Sequence, residues 1–258
     1  MWIVGLVLVV AGVVGFFFMR HLKSELHTMI GTETLSVPEL ERFRSASDEV
    51  GAKGSFRKVA EVVGAAHPGP DGPLVAELSG AECVWYRYRV DRKYEKIEYR
   101  DGRRIRRTAT EKVAEYTSWQ GYAVIDDQGR TIGVDPGGNE PDRPEQTVDR
   151  FEPASGRRSV ELFGIRLPGV SGGDSTIGYH YKEWLIRSGR RLYVLGEVHD
   201  RIGPLVIGKP ERGGHFIIST RDEQALRAER VLHHRIVAVG VVVATLGGLA
   251  LTVAGLIG

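Results

Sequence analysis

Cysteine is nearly missing from this sequence: Cys83 is the only one in 258 residues. A single thiol cannot build a disulfide framework or a Cys-rich zinc site, and it agrees with a reducing compartment. Strong charge of either sign is missing too. Lys and Arg number 35 against 33 Asp and Glu, a formal net charge of +2, which gives no footing for generic polyanion binding, nucleic acid included. No phosphate-binding loop or dinucleotide fingerprint occurs. The eight histidines are scattered, and none forms the helical i, i+4 pairing with carboxylates that suggests a metal site. His199-Asp200 is a lone dipeptide, more often structural than metal-binding. No cofactor and no metal is expected. The N-terminal apolar run also lacks both marks of a cleaved signal: no Lys or Arg precedes it, and no small-x-small site follows it.

What the sequence does have is two long apolar runs. Residues 236–258 form 23 positions without a charge, and residues 2–19 form 18 apolar positions. A bilayer core of ~30 Å needs about 20 such residues, so both read as transmembrane helices, the competing reading of 236–258 being a buried core helix. Gly240, Ala244, Gly248 and Thr252 recur at every fourth position, a face where another helix backbone can approach closely. That face predicts pairing with the first span, or with a second copy in a homo-oligomer. Arg20 and Lys23 follow the first run, and Arg221, Arg227, Arg230 and Arg235 precede the second. The positive-inside rule then places the intervening residues in the cytoplasm and both termini outside.

Between the spans the pattern is mostly β. Ser36-Val-Pro-Glu39 has the form of a capping box with proline in the first turn, opening a short charged helix to about Ala46 within a juxtamembrane segment, 20–53. Strands are expected at 55–63, 74–78 and 83–90, with a Pro/Gly loop at 67–73. In 83–90, Val84, Tyr86, Tyr88 and Val90 alternate with Cys83, Trp85, Arg87 and Arg89. Asp101-Gly102 marks a hairpin turn within a basic stretch containing Arg100, Arg103, Arg104, Arg106 and Arg107. Those charges suit either a solvated edge hairpin or anionic lipid headgroups. A second hairpin is expected from 123–125 to 131–134 through Asp127-Gln128-Gly129, and 135–144 reads as a loop. Residues 145–175 suggest irregular structure with a strand or two. Strands at 179–186 and 191–198 read as a third hairpin, pairing Ile186 with Arg191 and His180 with Glu197. After a short strand at 216–219, Thr220-Arg-Asp-Glu223 has the form of a second capping box. It opens a helical stalk, 221–235, continuous with the second span, in which Glu223 and Arg227 stand one turn apart. The fold class is therefore a mostly β (α+β) soluble domain of antiparallel hairpins between two transmembrane helices.

Two blocks carry a family resemblance. Pro73-Leu-Val-Ala-Glu-Leu-Ser-Gly80-Ala-Glu-Cys-Val-Trp-Tyr-Arg87 is the first. Ile177-Gly-Tyr-His-Tyr-Lys-Glu-Trp184, with Leu192-Tyr-Val-Leu-Gly-Glu197 and Phe216-Ile-Ile-Ser219, is the second. Together they resemble the GIDE domain, also described as a "beside a membrane" domain, the region between the two membrane helices of a mitochondrial membrane-anchored ubiquitin ligase. The resemblance covers roughly residues 54–235. It implies binding positions at Gly80, Cys83, Trp85, Tyr86, Arg87, Gly178, Tyr179, Glu183, Gly196, Glu197 and Ser219, and an unknown protein partner. It implies no catalytic position. The ligases' catalysis belongs to a RING placed after the second membrane helix, with about eight Cys and His ligands. With one cysteine and the second apolar run reaching the last residue, no RING is expected here. The function this points to is an interaction or regulatory module beside the membrane, or a component of a ubiquitin-type conjugation system whose RING sits on another chain.

One enzyme motif stands apart. Gly169-Val-Ser171-Gly-Gly173 matches Gly-x-Ser-x-Gly, which works when the serine sits on a tight strand-to-helix turn. Pro168 precedes it and no helical pattern follows, so a serine hydrolase using Ser171 is the remote alternative.

Overall fold

The N-terminal apolar run forms a helix, and the helix outlasts it. In the computed structural model, which describes residues 2–100, 103–154, 161–162, 165–166 and 175–257, α1 spans Trp2–Gly31. The expected juxtamembrane segment thus begins as a continuation of the span. The reason is plain in the sequence: no Pro or Gly interrupts residues 20–30, and a helix needs good formers to continue, not apolar ones. At the other end α3 runs unbroken over Glu223–Ile257. Windows of these helices, Ile3–Arg20 and Val231–Gly255, are long and apolar enough to cross a membrane, and only 11% and 6% of them is buried. A soluble core helix would be mostly covered.

The two helices pack antiparallel. Gly5 lies against the Gly248 carbonyl, Gly12 against Thr245 and Gly15 against Val241. The face of α3 that meets α1 is thus Val241, Thr245, Gly248 and Thr252, following the 3.6-residue turn. Gly248 and Thr252 lie where the fourth-position spacing puts them, whereas Gly240 meets nothing within 4 Å and is exposed.

α2 spans Val37–Glu49, longer than the sequence suggests, and opens on the expected box. The Glu39 carboxylate accepts from the Ser36 backbone N–H at 2.8 Å and from its hydroxyl at 2.6 Å. These bonds hold the Glu39 carboxyl below its ordinary pKa. The second box is corrected. Asp222 caps α3, accepting from Ala225 N–H at 2.7 Å, while Thr220 donates instead to the Arg143 carbonyl at 2.6 Å. The Glu223–Arg227 pair lies outside the described side chains.

Two sheets make the domain. β1 (Arg57–His67), β6 (Tyr122–Ile125), β7 (Thr131–Val134), β13 (Val206–Gly208) and β12 (Arg191–His199) are paired in that order, and β12 pairs back onto β1, so the five close into a ring. All pairings in the ring are antiparallel except β7 with β13. β14 (Ile217–Ser219) adds to β12. Ala60, Val62, Val124, Ile132, Val134, Leu192, Val194, Val198 and Ile207 fill the ring's core, joined by Leu35, Val37 and Leu40 from α2 and the segment before it. β2 (Leu74–Val75) and β3 (Glu82–Cys83) make a small hairpin beside the sheets.

The second sheet is antiparallel, ordered β5 (Arg103–Thr117), β4 (Trp85–Arg100), β11 (Ser175–Ile186), β8 (Glu145–Pro153). Arg100 pairs with Arg103, as a two-residue Asp101-Gly102 turn requires; the turn itself lies outside the described residues. β11 covers β4 only as far as Glu95. Beyond that, among the described residues, 96–100 pair only with 103–107, an arm of roughly 15–20 Å at the strand rise per residue.

The third expected hairpin does not form. β11 and β12 belong to different sheets, linked by Arg187-Ser-Gly-Arg190. β11 already has β4 on one edge and β8 on the other, and β12 has β1 on one edge and β13 and β14 on the other. No edge remains for them to share. His180 therefore meets Asp149, not Glu197, and Ile186 pairs with Trp85, not Arg191. Within 145–175, β8 is followed by the short pair β9 (Glu161–Leu162) and β10 (Ile165–Arg166); Ser171 and its motif lie outside the described residues.

Candidate functional site

Most of the marked positions turn out to hold the domain together. Glu183, on the central strand β11, is wholly buried. One carboxylate oxygen accepts from Leu78 N–H at 2.6 Å and Ser79 N–H at 3.3 Å, and the other from the Thr147 hydroxyl at 3.0 Å. A buried carboxylate is costly unless bonded in this way. Glu183 thus latches the turn 76–81 and strand β8 to β11. Gly80 sits in that turn at φ +67°, a conformation that favours glycine. Cys83, 1% exposed, has its thiol pushed up to about 12, chiefly by burial and then by the Glu183 charge. It is an inert packing residue, since the thiolate is the reactive form.

Tyr179 packs with Leu78, Val90 and Tyr181, and Phe151 lies against the bare Cα of Gly178. Gly196 lets the Gly208 carbonyl and the Phe216 ring approach β12. Ser219 is buried at the base of α3. Its hydroxyl donates to Asp142 at 3.0 Å and accepts from Arg221 N–H at 3.1 Å. Arg221 then pairs with Asp142 at 2.6 Å and with Glu229 on α3. This cluster fixes the soluble domain to the helix that enters the second apolar run.

Of the remaining positions, Trp85 and Arg87 share a cleft. Trp85, Arg87, Glu140, Pro141, Arg143, Pro144, Gln146 and Trp184 line a hollow of about 330 Å³. Arg143 also lines a neighbouring hollow of similar size with Glu145, Arg187, Arg190 and Thr220. The Arg87 guanidinium lies 5.7 Å from the Trp184 ring centroid and pairs with Glu115 at 2.5 Å and with Glu140. Arg87 and Lys112 together draw the Glu115 carboxyl down to about 2, the bond to Lys112 being the larger cause. Tyr86 stands on the opposite face, its ring 5.5 Å from that of Tyr116, and burial raises its hydroxyl. Trp184, Glu140 and Arg143 are not among the positions the sequence singles out. They come from β11 and the 135–144 loop, and nothing in their local sequence ties them to Trp85.

Glu197 faces elsewhere. It lines a hollow of about 540 Å³ with Ser55, Arg57, Lys58, Val59 and Arg212. The four arginines of the arm, Arg103, Arg104, Arg106 and Arg107, are exposed. Arg106 lies 3.7 Å from Glu95 and Arg107 3.8 Å from Glu98. They occupy the end of β4–β5 opposite Trp85, and it is the Trp85–Ile186 end that approaches Thr220 and the stalk. Among the described residues no group of three or more His, Cys, Asp and Glu is placed to hold a metal ion.

Residues 93–255 match the model of the GIDE family, which is described as E3 ubiquitin ligase. The chain belongs to the GIDE family. The match takes in β11, β12, β14 and α3, and leaves the block from Pro73 to Arg87 on its N-terminal side. Neither a curated protein nor a solved structure matches the chain. With the family and the two apolar helices together, this is a ubiquitin-ligase-related, membrane-associated β module. Nothing in the match or among the described residues supports hydrolase chemistry at Ser171.

Proposed function

We propose that this GIDE module holds a protein partner beside the bilayer on the cytoplasmic side, with both termini on the other side, and performs no chemistry itself. The observation that carries this is the rigid connection at Ser219. The Asp142–Arg221–Glu229 cluster and the unbroken α3 tie the domain to the second apolar helix, which suits a scaffold that presents one face. The basic flanks at Arg20, Lys23 and Arg235 support the orientation. The cleft of Arg87 and Trp184, floored by the buried Trp85, is the face we assign to the partner, because half-buried tryptophan and arginine make the strongest contacts in protein interfaces. The arm's arginines support a lipid contact less well, since they lie at the far end of the sheet from the stalk.

A second reading follows from the family's description: the partner belongs to a ubiquitin-type conjugation system and supplies the RING. A photo-crosslinking residue at Gln146, with a matched control at Gln128 in the exposed β6–β7 turn, tests both readings in native membranes. A discrete adduct from Gln146, absent at Gln128 and lost in Arg87→Glu, is the expected result, and a RING protein in the adduct selects the second reading. Equal labelling at both positions would sink the interaction reading.

A further inference from the structure

The hollow around Glu197 has no part in the cleft, and its chemistry points to a different ligand. It lies on the outer face of the ring, where β1 and β12 present Arg57, Val59 and Glu197; Val59 pairs directly with Glu197. Arg212, from the loop between β13 and β14, closes one side. Glu211 in that loop lies 3.6 Å from Arg57 and also meets Arg201. Lys58 lines the hollow as well, its ammonium 4.7 Å from the Phe43 ring centroid. Counting Arg57, Lys58, Arg201 and Arg212 against Glu197 and Glu211, cations outnumber acids by four to two.

Two further observations say what would sit there. Glu197 is 7% exposed, and its Oε1 is buried with no hydrogen-bond partner. A buried carboxylate oxygen left bare is costly and calls for a donor. The same loop also touches the membrane helix: His215 Nε2 lies 3.3 Å from the Ser24 hydroxyl. Ser24 stands four residues beyond Arg20, the end of the first apolar window, which is about 6 Å along the helix axis. The hollow is therefore at headgroup height.

We infer that this hollow binds the headgroup of an anionic phospholipid whose phosphodiester carries a hydroxylated group, such as phosphatidylglycerol. Arg57 and Arg212 take the phosphate, and Glu197 accepts from the headgroup hydroxyl. Basic residues near the surface attract anionic lipid, and the buried acid adds selectivity: it repels a second phosphate charge and rewards a donor. This rests on the reading of α1 and α3 as membrane spans, but not on the partner cleft.

The test is native mass spectrometry of the full chain in mild detergent, titrated with phosphatidylglycerol, phosphatidic acid and phosphatidylcholine, and with glycerol 3-phosphate as the soluble phosphate. Phosphatidylglycerol should bind at least tenfold more tightly than phosphatidylcholine and more tightly than phosphatidic acid. Arg57→Gln with Arg212→Gln should bring it down to the phosphatidylcholine level. Arg103→Gln with Arg104→Gln, which removes the same charge from the arm, should leave it unchanged. Glu197→Gln should raise phosphatidic acid to at least the phosphatidylglycerol level, a gain that a misfolded variant cannot produce. Equal binding of phosphatidylglycerol and phosphatidylcholine, equal losses from the two arginine pairs, or full competition by glycerol 3-phosphate would each overturn the inference. Carbonate extraction of the unsubstituted chain and the variants reads membrane insertion separately, so a missing lipid preference in the unsubstituted chain with insertion intact refutes the pocket alone.

Discussion

The Glu183 carboxylate accepts a 2.6 Å hydrogen bond from the Leu78 backbone N–H, 105 residues earlier in the chain. Both groups are buried, and Thr147 completes the bonding from β8. Glu183→Ala leaves a buried donor without a partner, a loss of about 2–3 kcal/mol. Thermal unfolding of the full chain in detergent should show Tm lower by roughly 5–10 °C. A change below about 1 °C would mean that the latch is not under load.

The Ser219–Asp142–Arg221 cluster at the base of α3 is a local fastening. Asp142 and Arg221 are about one-quarter and one-fifth exposed, and the pair shares its bonding with Ser219. Asp142→Ala should speed amide exchange in residues 217–222 by roughly tenfold, equivalent to ~1.4 kcal/mol of local opening. Asp127→Ala breaks the exposed pair with Arg191 and should leave those amides unchanged, as surface pairs contribute little.

Much of this fold was legible in the sequence, and what was not has a common cause. The two spans, the Ser36 box, the Asp127-Gln128-Gly129 hairpin and the arm around Asp101-Gly102 all rest on neighbours in the chain. Alternation along 179–186 shows that a strand exists but not which strand lies beside it. The split of β11 from β12 follows from pairings such as Arg57 with His199, which no local pattern encodes. The site divides the same way. Glu183 and Ser219 could be singled out by motif, but their partners are a backbone N–H and an aspartate far along the chain. Arg57 and Arg212 come together only because the ring closes.

Acid should weaken the domain through His199. Burial is the main cause that lowers its pKa below the ordinary 6.5, aided by Arg201 and Arg57 and opposed by Glu197 and Asp135. The unfolded chain then takes up a proton more readily than the folded one. Stability is full above the unfolded pKa and declines as pH falls below it towards the folded value. Between pH 7.5 and 5.5, Tm should fall, and His199→Asn should flatten that dependence. An unchanged slope in the variant would assign the pH response elsewhere.

The helix pair separates packing within the chain from packing between chains. A Cβ at Gly5 would stand 2.7 Å from the Gly248 carbonyl, whereas one at Gly240 meets nothing within 4 Å. Gly5→Val should lower Tm in detergent by several degrees, and Gly240→Val should be neutral. The reverse pattern would mean that α3 uses its Gly240 face against a second copy.

The most direct test of a cytoplasmic module is the side of the membrane on which it stands. In a Cys83→Ala background, a cysteine at Gln128 in the exposed β6–β7 turn is probed in intact cells with a membrane-impermeant maleimide. A cytoplasmic domain gives no labelling until the cells are lysed; labelling of intact cells would contradict that placement and put the domain on the outer side.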